Sequence, residues 1–328
     1  PAIIVPHKNQ TLNFKDLLEE SNRIASGLIK SGFQAREKAL LMVPPGIEFI
    51  TITFALFKIG VLPVLMDPGI GKYNFRKNIA EIEPEILIGI PPAHFARMIF
   101  REVFSPIRRF VTVGTRWLWT GETLKDIRKK GIAEFTPLNI HPEEPAAVLF
   151  TSGSTGPSKG VVYTHAMFEA QVQVLKNEYG FQPGEVDLPT FPLFALFSSA
   201  FGMTSIVPDM NPTRPANVNP LKILLPAKRF GVINSFGSPA LWNTVIHYCK
   251  NNQQTIEDSL FVKGIGLHSG KEVELKLEPA EVDNGIKFIR VDSKKNNIIE
   301  AIWSNVSETL LSTTISNEYG LKISTIEH

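Results

Sequence analysis

Short apolar segments alternate with helix-length segments through the first 250 residues. Residues 39–43 and 61–66 are typical of buried strands, and a helix fits the residues between them. Residues 14–29 carry apolar side chains at helical spacing and are followed by Gly32, a common helix stop. Further strand-like runs lie at residues 86–90, 110–113, 146–150, 160–163 and 232–234. This alternation predicts an α/β fold with a layered, largely parallel sheet.

Composition changes near residue 251. Of 24 prolines, 23 lie in residues 1–250 and only Pro279 lies beyond them. Residues 251–328 carry 8 basic and 12 acidic side chains (net −4), whereas the first part carries 26 and 20 (net +6). The polar run from Lys250 to Gln254 is typical of a surface linker, but an ordinary loop within one domain has the same composition.

The pattern beyond residue 251 is rich in strand signals and has little helical periodicity. Candidate strands lie at residues 273–277, 286–290 and 310–316. They predict an antiparallel or mixed sheet. We therefore expect a small, strand-rich α+β segment after the α/β part.

Charge, hydropathy and cysteine content bear on the functional classes that the chain could belong to. The chain has 34 Lys and Arg against 32 Asp and Glu, and this net charge of +2 does not indicate a nucleic-acid or membrane-surface partner. The most apolar stretch, residues 49–66, contains Lys58, Gly60 and Pro63, which favour a buried helix and strand over a membrane span. The single cysteine, Cys249, excludes an internal disulfide framework and fits a reducing cytoplasm.

The strongest chemical signal is a glycine-, serine- and threonine-rich loop between two strand candidates. It reads Leu149-Phe150-Thr151-Ser152-Gly153-Ser154-Thr155-Gly156-Pro157-Ser158-Lys159-Gly160. Gly153 and Gly156 permit backbone conformations that bring N–H groups close to an anion. The hydroxyl groups add donors, and Lys159 adds positive charge suited to a polyphosphate. These residues predict an ATP site.

Two other kinds of loop share part of this composition. A Walker loop requires Gly-Lys followed by Ser or Thr, whereas Lys159 here lies between Ser158 and Gly160, which excludes that class of NTPase. A flexible linker has similar composition. The strand candidates that enter and leave the loop favour a binding site.

The loop, with Thr164-His165 after it, resembles the phosphate-binding signature of adenylate-forming enzymes, the acyl-CoA synthetase and luciferase superfamily. The resemblance covers residues 1–250, including the helix–strand segment 45–68. It implies ATP and Mg²⁺ as cofactors. It also implies that the ATP phosphates are held by Thr151, Ser152, Gly153, Ser154, Thr155, Gly156 and Lys159.

Three further segments, residues 187–197, 208–215 and 236–241, resemble the olefin-biosynthesis branch of that superfamily, the β-lactone synthetases. That resemblance implies ATP-dependent activation of a long-chain 2-alkyl-3-hydroxy fatty acid. Four aromatic residues could line an acyl pocket or belong to the core, and the core is the commoner place for them: Phe191, Phe194, Phe197 and Phe201.

Residues 253–328 resemble a second family, the N-terminal domain of UDP-3-O-acyl-N-acetylglucosamine deacetylase, a zinc enzyme of lipid A synthesis. The matching motifs include Gly264-Ile265-Gly266-Leu267-His268-Ser269-Gly270-Lys271 and the terminal Ser324-Thr325-Ile326-Glu327-His328. The resemblance implies that His328 is a zinc ligand and Glu327 the general base, with a UDP-acyl-N-acetylglucosamine as possible partner. For His268, the resemblance allows a position near the substrate passage, but a histidine in a turn between glycines fits a structural role equally well.

Each resemblance is incomplete. The adenylate-forming family carries a Tyr-Gly-x-Thr-Glu segment, a ribose-binding Asp and a C-terminal lysine, none of which we recognise here. Catalytic zinc usually needs three protein ligands, and the other two would follow His328. We therefore predict a chimera of two partial domains, 1–250 and 251–328, in a bacterial cytoplasmic protein that lacks turnover. A working two-part enzyme and a non-catalytic nucleotide-binding fragment are the alternatives.

Overall fold

A computed structural model describes residues 1–66, 71–151 and 159–251, and beyond these the backbone of five strands. Side chains are described in the first three ranges, except at positions 72, 151 and 159. The described α-helices are α1 Phe14–Lys30, α2 Ile47–Lys58, α3 Gly71–Ile82, α4 Pro91–Ile99, α5 Leu124–Lys130, α6 His165–Tyr179, α7 Phe194–Ala200, α8 Leu221–Phe230 and α9 Pro239–Asn251.

The strands of the first 251 residues are β1 Ile3–Val5, β2 Gln10–Leu12, β3 Lys38–Met42, β4 Leu62–Met66, β5 Ile86–Gly89, β6 Arg109–Thr112, β7 Glu122–Thr123, β8 Pro145–Thr151, β9 Lys159–Thr164, β10 Val186–Pro189, β11 Thr204–Ile206 and β12 Asn234–Phe236. The later strands are β13 Leu275–Val282, β14 Gly285–Asp292, β15 Asn297–Ser304, β16 Leu310–Asn317 and β17 Lys322–Glu327.

The chain forms two compact units, one of Pro1 with Leu12–Gln171 and one of Ala2–Thr11 with Val172–His328. The predicted boundary at residue 250 rests on family resemblance and composition, and it stays a prediction.

The first unit is built on a seven-stranded sheet with the order β7-β6-β5-β3-β4-β8-β9. All pairs are parallel except β8 with β9, which is antiparallel. Apolar residues of the central strands pack with α3 and with the segment before β6. This core contains Leu40, Leu62, Val64, Ile79, Leu87, Phe104, Ile107, Val148 and Phe150. The predicted α/β fold with a largely parallel sheet is confirmed.

The second unit contains a sheet with the order β12-β10-β11-β1-β2, in which β12, β10, β11 and β1 are parallel. Its core lies between this sheet and the helices α8 and α9, and consists of Leu188, Ile206, Val218, Ile223, Leu224, Ala227, Val232, Leu241, Val245 and Cys249. The later strands pair in sequence order, β13 to β17, and every pair is antiparallel. This agrees with the strand-rich pattern predicted beyond residue 251.

Two local predictions were wrong. The strand expected at residues 232–234 begins at Asn234, because Gly231 ends α8 in the left-handed conformation and the Val232 N–H returns 3.0 Å to the Ala227 carbonyl. The polar run from Lys250 to Gln254, interpreted as either a linker or a loop, begins inside a helix instead, because Lys250 and Asn251 are the last residues of α9 and the side chain of Cys249 lies in the core. The stretch at residues 49–66 is the predicted helix and strand, and no described helix has the length and hydropathy to cross a membrane.

Candidate functional site

The predicted phosphate loop connects β8 to β9, two strands that form an antiparallel pair. The pairing ends at Thr151 opposite Lys159, so these two residues face each other at the mouth of the loop. Directly paired antiparallel residues have Cα atoms about 4.5–5.5 Å apart. The backbone therefore places Lys159 beside the point where the chain leaves β8. Predicted site residues Ser152, Gly153, Ser154, Thr155 and Gly156 lie outside the described residues.

The mouth of this loop lies at the carboxyl edge of the parallel strands. Phe150, one residue before the end of β8, pairs with Met66, the last residue of β4. In open α/β sheets, ligands bind outside the carboxyl ends of the strands, where loops collect. The position of the hairpin is therefore that of a ligand site in this fold class.

Two residues after the loop have structural roles that the sequence did not reveal. Gly160 lies opposite Phe150, and a Cβ on Gly160 would lie 3.0 Å from Phe150 Cζ, tighter than most contacts between side chains, so the ring would have to move. The Thr164 Oγ1 accepts a hydrogen bond from the Met167 N–H at 3.2 Å and so caps the start of α6. His165, the first residue of α6, is half-buried, and burial lowers the pKa of its imidazole.

The second unit brings together two segments that are far apart in sequence. The adjacent parallel strands β10 and β12 end at Pro189 and Phe236, and these two residues are register partners. The Thr190 Oγ1 donates to the Phe236 carbonyl at 2.9 Å, and the Ser235 Oγ donates to the Leu188 carbonyl at 2.6 Å. The segments 187–197 and 236–241 therefore meet at one carboxyl edge.

Aromatic rings gather at the same edge. The rings of Phe194 and Phe236 stack with centroids 3.7 Å apart, and Phe191 packs edge-on to Phe194 at 6.0 Å. Phe191 and Phe236 are about half-exposed, whereas Phe197 and Phe201 are buried. The four predicted aromatic residues therefore lie in two different environments. Phe197 and Phe201 belong to the core, and Phe191 and Phe194 lie with Phe236 at the surface.

Asp187 is a buried carboxyl group that sequence reasoning did not single out by itself. It lies on β10, and its Oδ2 accepts a hydrogen bond from the Ser198 Oγ on α7. Burial raises the pKa of Asp187 to about 7, and the Ser198 hydrogen bond opposes that shift. Its strand neighbours in register are Ser205 and Asn234, both buried. A polar row thus crosses three strands beneath α7.

The predicted zinc residues cannot be brought together from the described part of the chain. The Glu327 backbone ends β17 opposite Ser312, and His328 lies outside the described residues, as does His268. Among the described residues there is no group of three or more His, Cys, Asp or Glu side chains able to hold a metal. The zinc assignment remains a prediction.

A family model settles the affiliation of the chain. The model of the AMP-binding enzymes matches residues 1–320. The chain belongs to the AMP-binding enzyme family. This match extends past residue 251, where the sequence predicted a second domain.

Curated proteins of two kinds are among the relatives of this AMP-binding chain. An olefin beta-lactone synthetase of Xanthomonas campestris is 46% identical over 239 residues, which cover 73% of this chain and 43% of the relative. A UDP-3-O-acyl-N-acetylglucosamine deacetylase of Geotalea uraniireducens is 51% identical over 76 residues, 23% of this chain and 24% of the relative. The chain thus spans less than half the length of the curated relatives it matches. The match to the deacetylase is 76 residues long, the same length as the segment 253–328 that resembles this family in sequence.

Solved structures agree on the fold. A long-chain-fatty-acid-CoA ligase, FadD1 from Archaeoglobus fulgidus, superposes with a TM-score of 0.67 over 99% of this chain and 80% of that one, at 15% identity. The N-terminal domain of FACL13 from Mycobacterium tuberculosis gives a TM-score of 0.65 over 99% of this chain and 95% of that one, at 14% identity. At such low identity the likeness shows the adenylate-forming fold alone.

Proposed function

We propose that residues 1–250 bind ATP and belong to an activity that converts a long-chain 2-alkyl-3-hydroxy fatty acid to its acyl-adenylate. The observation that carries the proposal is the β8–β9 hairpin, which holds Lys159 and Thr151 together at a carboxyl sheet edge. The 46% identity to an olefin beta-lactone synthetase supports the choice of acid.

In this reaction a carboxylate oxygen attacks the α-phosphorus of ATP. The new P–O bond forms as the bond to the β-phosphate bridging oxygen breaks, and pyrophosphate leaves. The step needs charge neutralisation and alignment more than covalent help. We assign that task to the hydroxyl groups of Thr151, Ser152, Ser154 and Thr155, to the loop N–H groups and to Lys159. Mg²⁺ would accompany the phosphates, and we assign no residue of this chain to it.

The half-exposed aromatic group of the second unit is our candidate for contact with the acyl chain. Phe191, Phe194 and Phe236 form a stacked apolar surface at the ends of β10 and β12. An exposed apolar surface of this kind suits contact with an aliphatic chain.

We further propose that this chain lacks turnover by itself. The family's downstream Tyr-Gly-x-Thr-Glu segment, ribose-binding Asp and C-terminal lysine are not recognised in the sequence. For the second part, Glu327 as general base and His328 as zinc ligand would start a deacetylase site that needs two more ligands. The 51% identity to a deacetylase over 76 residues favours this origin for the segment. A single buried cysteine and bacterial relatives favour a bacterial cytoplasm.

Calorimetry with the full 328-residue chain tests the nucleotide proposal. ATP should bind, and Lys159→Met should weaken binding by about tenfold or more, because a charge-assisted contact to phosphate is lost. Lys176→Met removes an exposed lysine from α6 and is the matched control, with no expected change. Absence of ATP binding by the folded chain would remove both the catalytic and the non-catalytic nucleotide proposals.

Two activity assays test the proposal that this chain lacks turnover by itself. ATP, a long-chain hydroxy acid and hydroxylamine should yield no hydroxamate above the blank, and the UDP-acyl sugar with Zn²⁺ should release no acetate. Hydroxamate formation would make the first part a complete activating enzyme. Zinc-dependent acetate release would do the same for the second part.

A further inference from the structure

The loop between β6 and β7 presents large apolar side chains to solvent. Trp117 is 72% exposed and Leu118 is 94% exposed. Gly114 and Gly121 bracket the loop with φ of +109° and +115°, conformations that other residues rarely adopt. The chain thus makes a defined turn whose tip is apolar.

The inner side of this loop is anchored by specific contacts. The buried Trp119 donates from Nε1 to the Thr112 Oγ1 at 2.9 Å and stacks on His94 with centroids 5.5 Å apart. The Arg97 Nη2 donates to the Thr120 carbonyl at 3.1 Å. Trp117 and Leu118 are therefore exposed on a loop whose inner side is fixed by these contacts.

Helix α4 adds apolar side chains on another of its faces. His94 and Arg97 contact the loop, while Phe95, Met98 and Ile99 are exposed. Positions 98 and 99 lie three and four residues after position 95. Residues with this spacing are neighbours on the surface of a helix. We define the Trp117 surface as the exposed apolar side chains of this loop and of the helix that contacts it: Phe95, Met98, Ile99, Trp117 and Leu118.

The segment that carries this surface has an excess of basic residues. Residues 91–130 contain nine Lys and Arg and three Asp and Glu, a net charge of +6, against +2 for the whole chain. Part of this excess is neutralised from outside the segment, because Arg109 pairs with Glu37 and Arg128 with Glu20. Within the segment, Glu122 is paired with Lys130, and Asp126 is held in the capping box with Thr123. Arg116, Lys125 and Lys129 are exposed. The small net charge of the whole chain, +2, conceals this local excess of basic residues.

We propose that the Trp117 surface docks on anionic phospholipid headgroups at a membrane surface. Tryptophan and leucine side chains enter the interfacial region, and neighbouring arginine and lysine side chains attract anionic lipids. The surface lies at the β7–β6 edge of the seven-stranded sheet, opposite the β9 edge. The proposal does not depend on acid activation, because vesicle binding is measured without ATP.

Co-sedimentation of the full chain with phosphatidylcholine vesicles, with or without phosphatidylglycerol, tests the proposal. Binding should be at least about tenfold tighter to the anionic vesicles and should weaken with added salt. Trp117→Ser with Leu118→Ser should weaken binding by about tenfold or more. Tyr73→Ser removes an exposed aromatic ring on α3 and should leave binding unchanged.

A second pair of variants separates charge from apolar contact. Lys125→Gln with Lys129→Gln should weaken binding to anionic vesicles by about tenfold and leave the weak binding to neutral ones unchanged. Lys15→Gln with Lys176→Gln changes net charge equally and serves as control. Equal binding of the parent chain and the Trp117/Leu118 variant, both folded by circular dichroism, would overturn the proposal. So would a loss of self-association in that variant with vesicle binding unchanged, because the surface would then join copies of the chain.

Discussion

Phe150 and Gly160 face each other across the β8–β9 pair, so close that a Cβ on Gly160 would lie 3.0 Å from the Phe150 ring. Gly160→Ala should therefore destabilise the fold by about 1–2 kcal/mol, since overpacking at a close contact displaces the ring. Urea unfolding followed by circular dichroism measures the change in free energy.

A double-mutant cycle identifies the cause of that loss. In a Phe150→Leu background the ring is absent, and Gly160→Ala should then cost less than about half as much. An equal cost in both backgrounds would show that the backbone of residue 160, and not the ring contact, requires glycine.

Asp187 predicts a pH dependence of stability. Its pKa is raised from 3.8 to about 7 by burial, so the folded state holds a proton that the unfolded state releases. The stabilising effect of that proton is complete below pH about 4 and is lost as the pH rises through about 7. The shift of about three units corresponds to up to about 4 kcal/mol.

The Asp187→Asn variant isolates this effect, because an amide in place of the carboxyl does not titrate. The difference in unfolding free energy between parent and variant should change between pH 4 and pH 7, in favour of the variant at the higher pH. Ser198→Ala removes a hydrogen bond that lowers the pKa, so it should move the transition to higher pH. A difference that is flat over this range would contradict the assignment.

The buried Lys58 predicts a pH dependence of stability that is opposite in sign to that of Asp187. Its Nζ donates to the Ser21 Oγ and to the Asn22 Oδ1, both at 2.7 Å, and burial lowers its pKa from 10.5 to about 8. The folded state releases this proton more readily than the unfolded chain, so stability should rise as the pH increases from about 8 to above 10. Lys58→Met should abolish that rise in thermal-unfolding scans. Lys15→Met, at an exposed position, is the control and should retain the rise.

The elements of the first unit were largely predictable because buried parallel strands are continuous apolar runs. The segments predicted for β3, β4 and β5 each lie within one residue of the observed bounds. By contrast β10 and β11 were not predicted. They span four and three residues, and each carries a buried polar residue, Asp187 and Ser205, that interrupts the apolar pattern. Asp187 on β10 accepts a hydrogen bond from Ser198 on α7, and the local sequence pattern of β10 does not predict this contact.

The candidate site also has one part that the sequence predicts and one part that it does not. The chemistry of the phosphate loop follows from residue types alone, because glycine, hydroxyl and lysine side chains favour phosphate wherever the loop lies. The meeting of Thr190 with Phe236 depends on the parallel pairing of β10 with β12, whose paired residues are 47 apart in sequence. Periodicity carries no signal for such a pairing, so the surface position of Phe191 and Phe194 could not be separated beforehand from the core position of Phe197.

Strand β9 predicts self-association through the edge of the seven-stranded sheet. It is the terminal strand, and its consecutive residues Val161 and Val162 are 41% and 50% exposed although they point to opposite faces. An exposed edge with apolar side chains on both faces is a template for pairing with another chain. Val162→Lys should therefore raise the monomer fraction and the soluble concentration, as measured by light scattering after size exclusion. Leu225→Lys, at a 61% exposed position on α8, adds the same charge away from any strand edge and should have little effect. Equal improvement by both variants would assign the effect to net charge and contradict edge pairing.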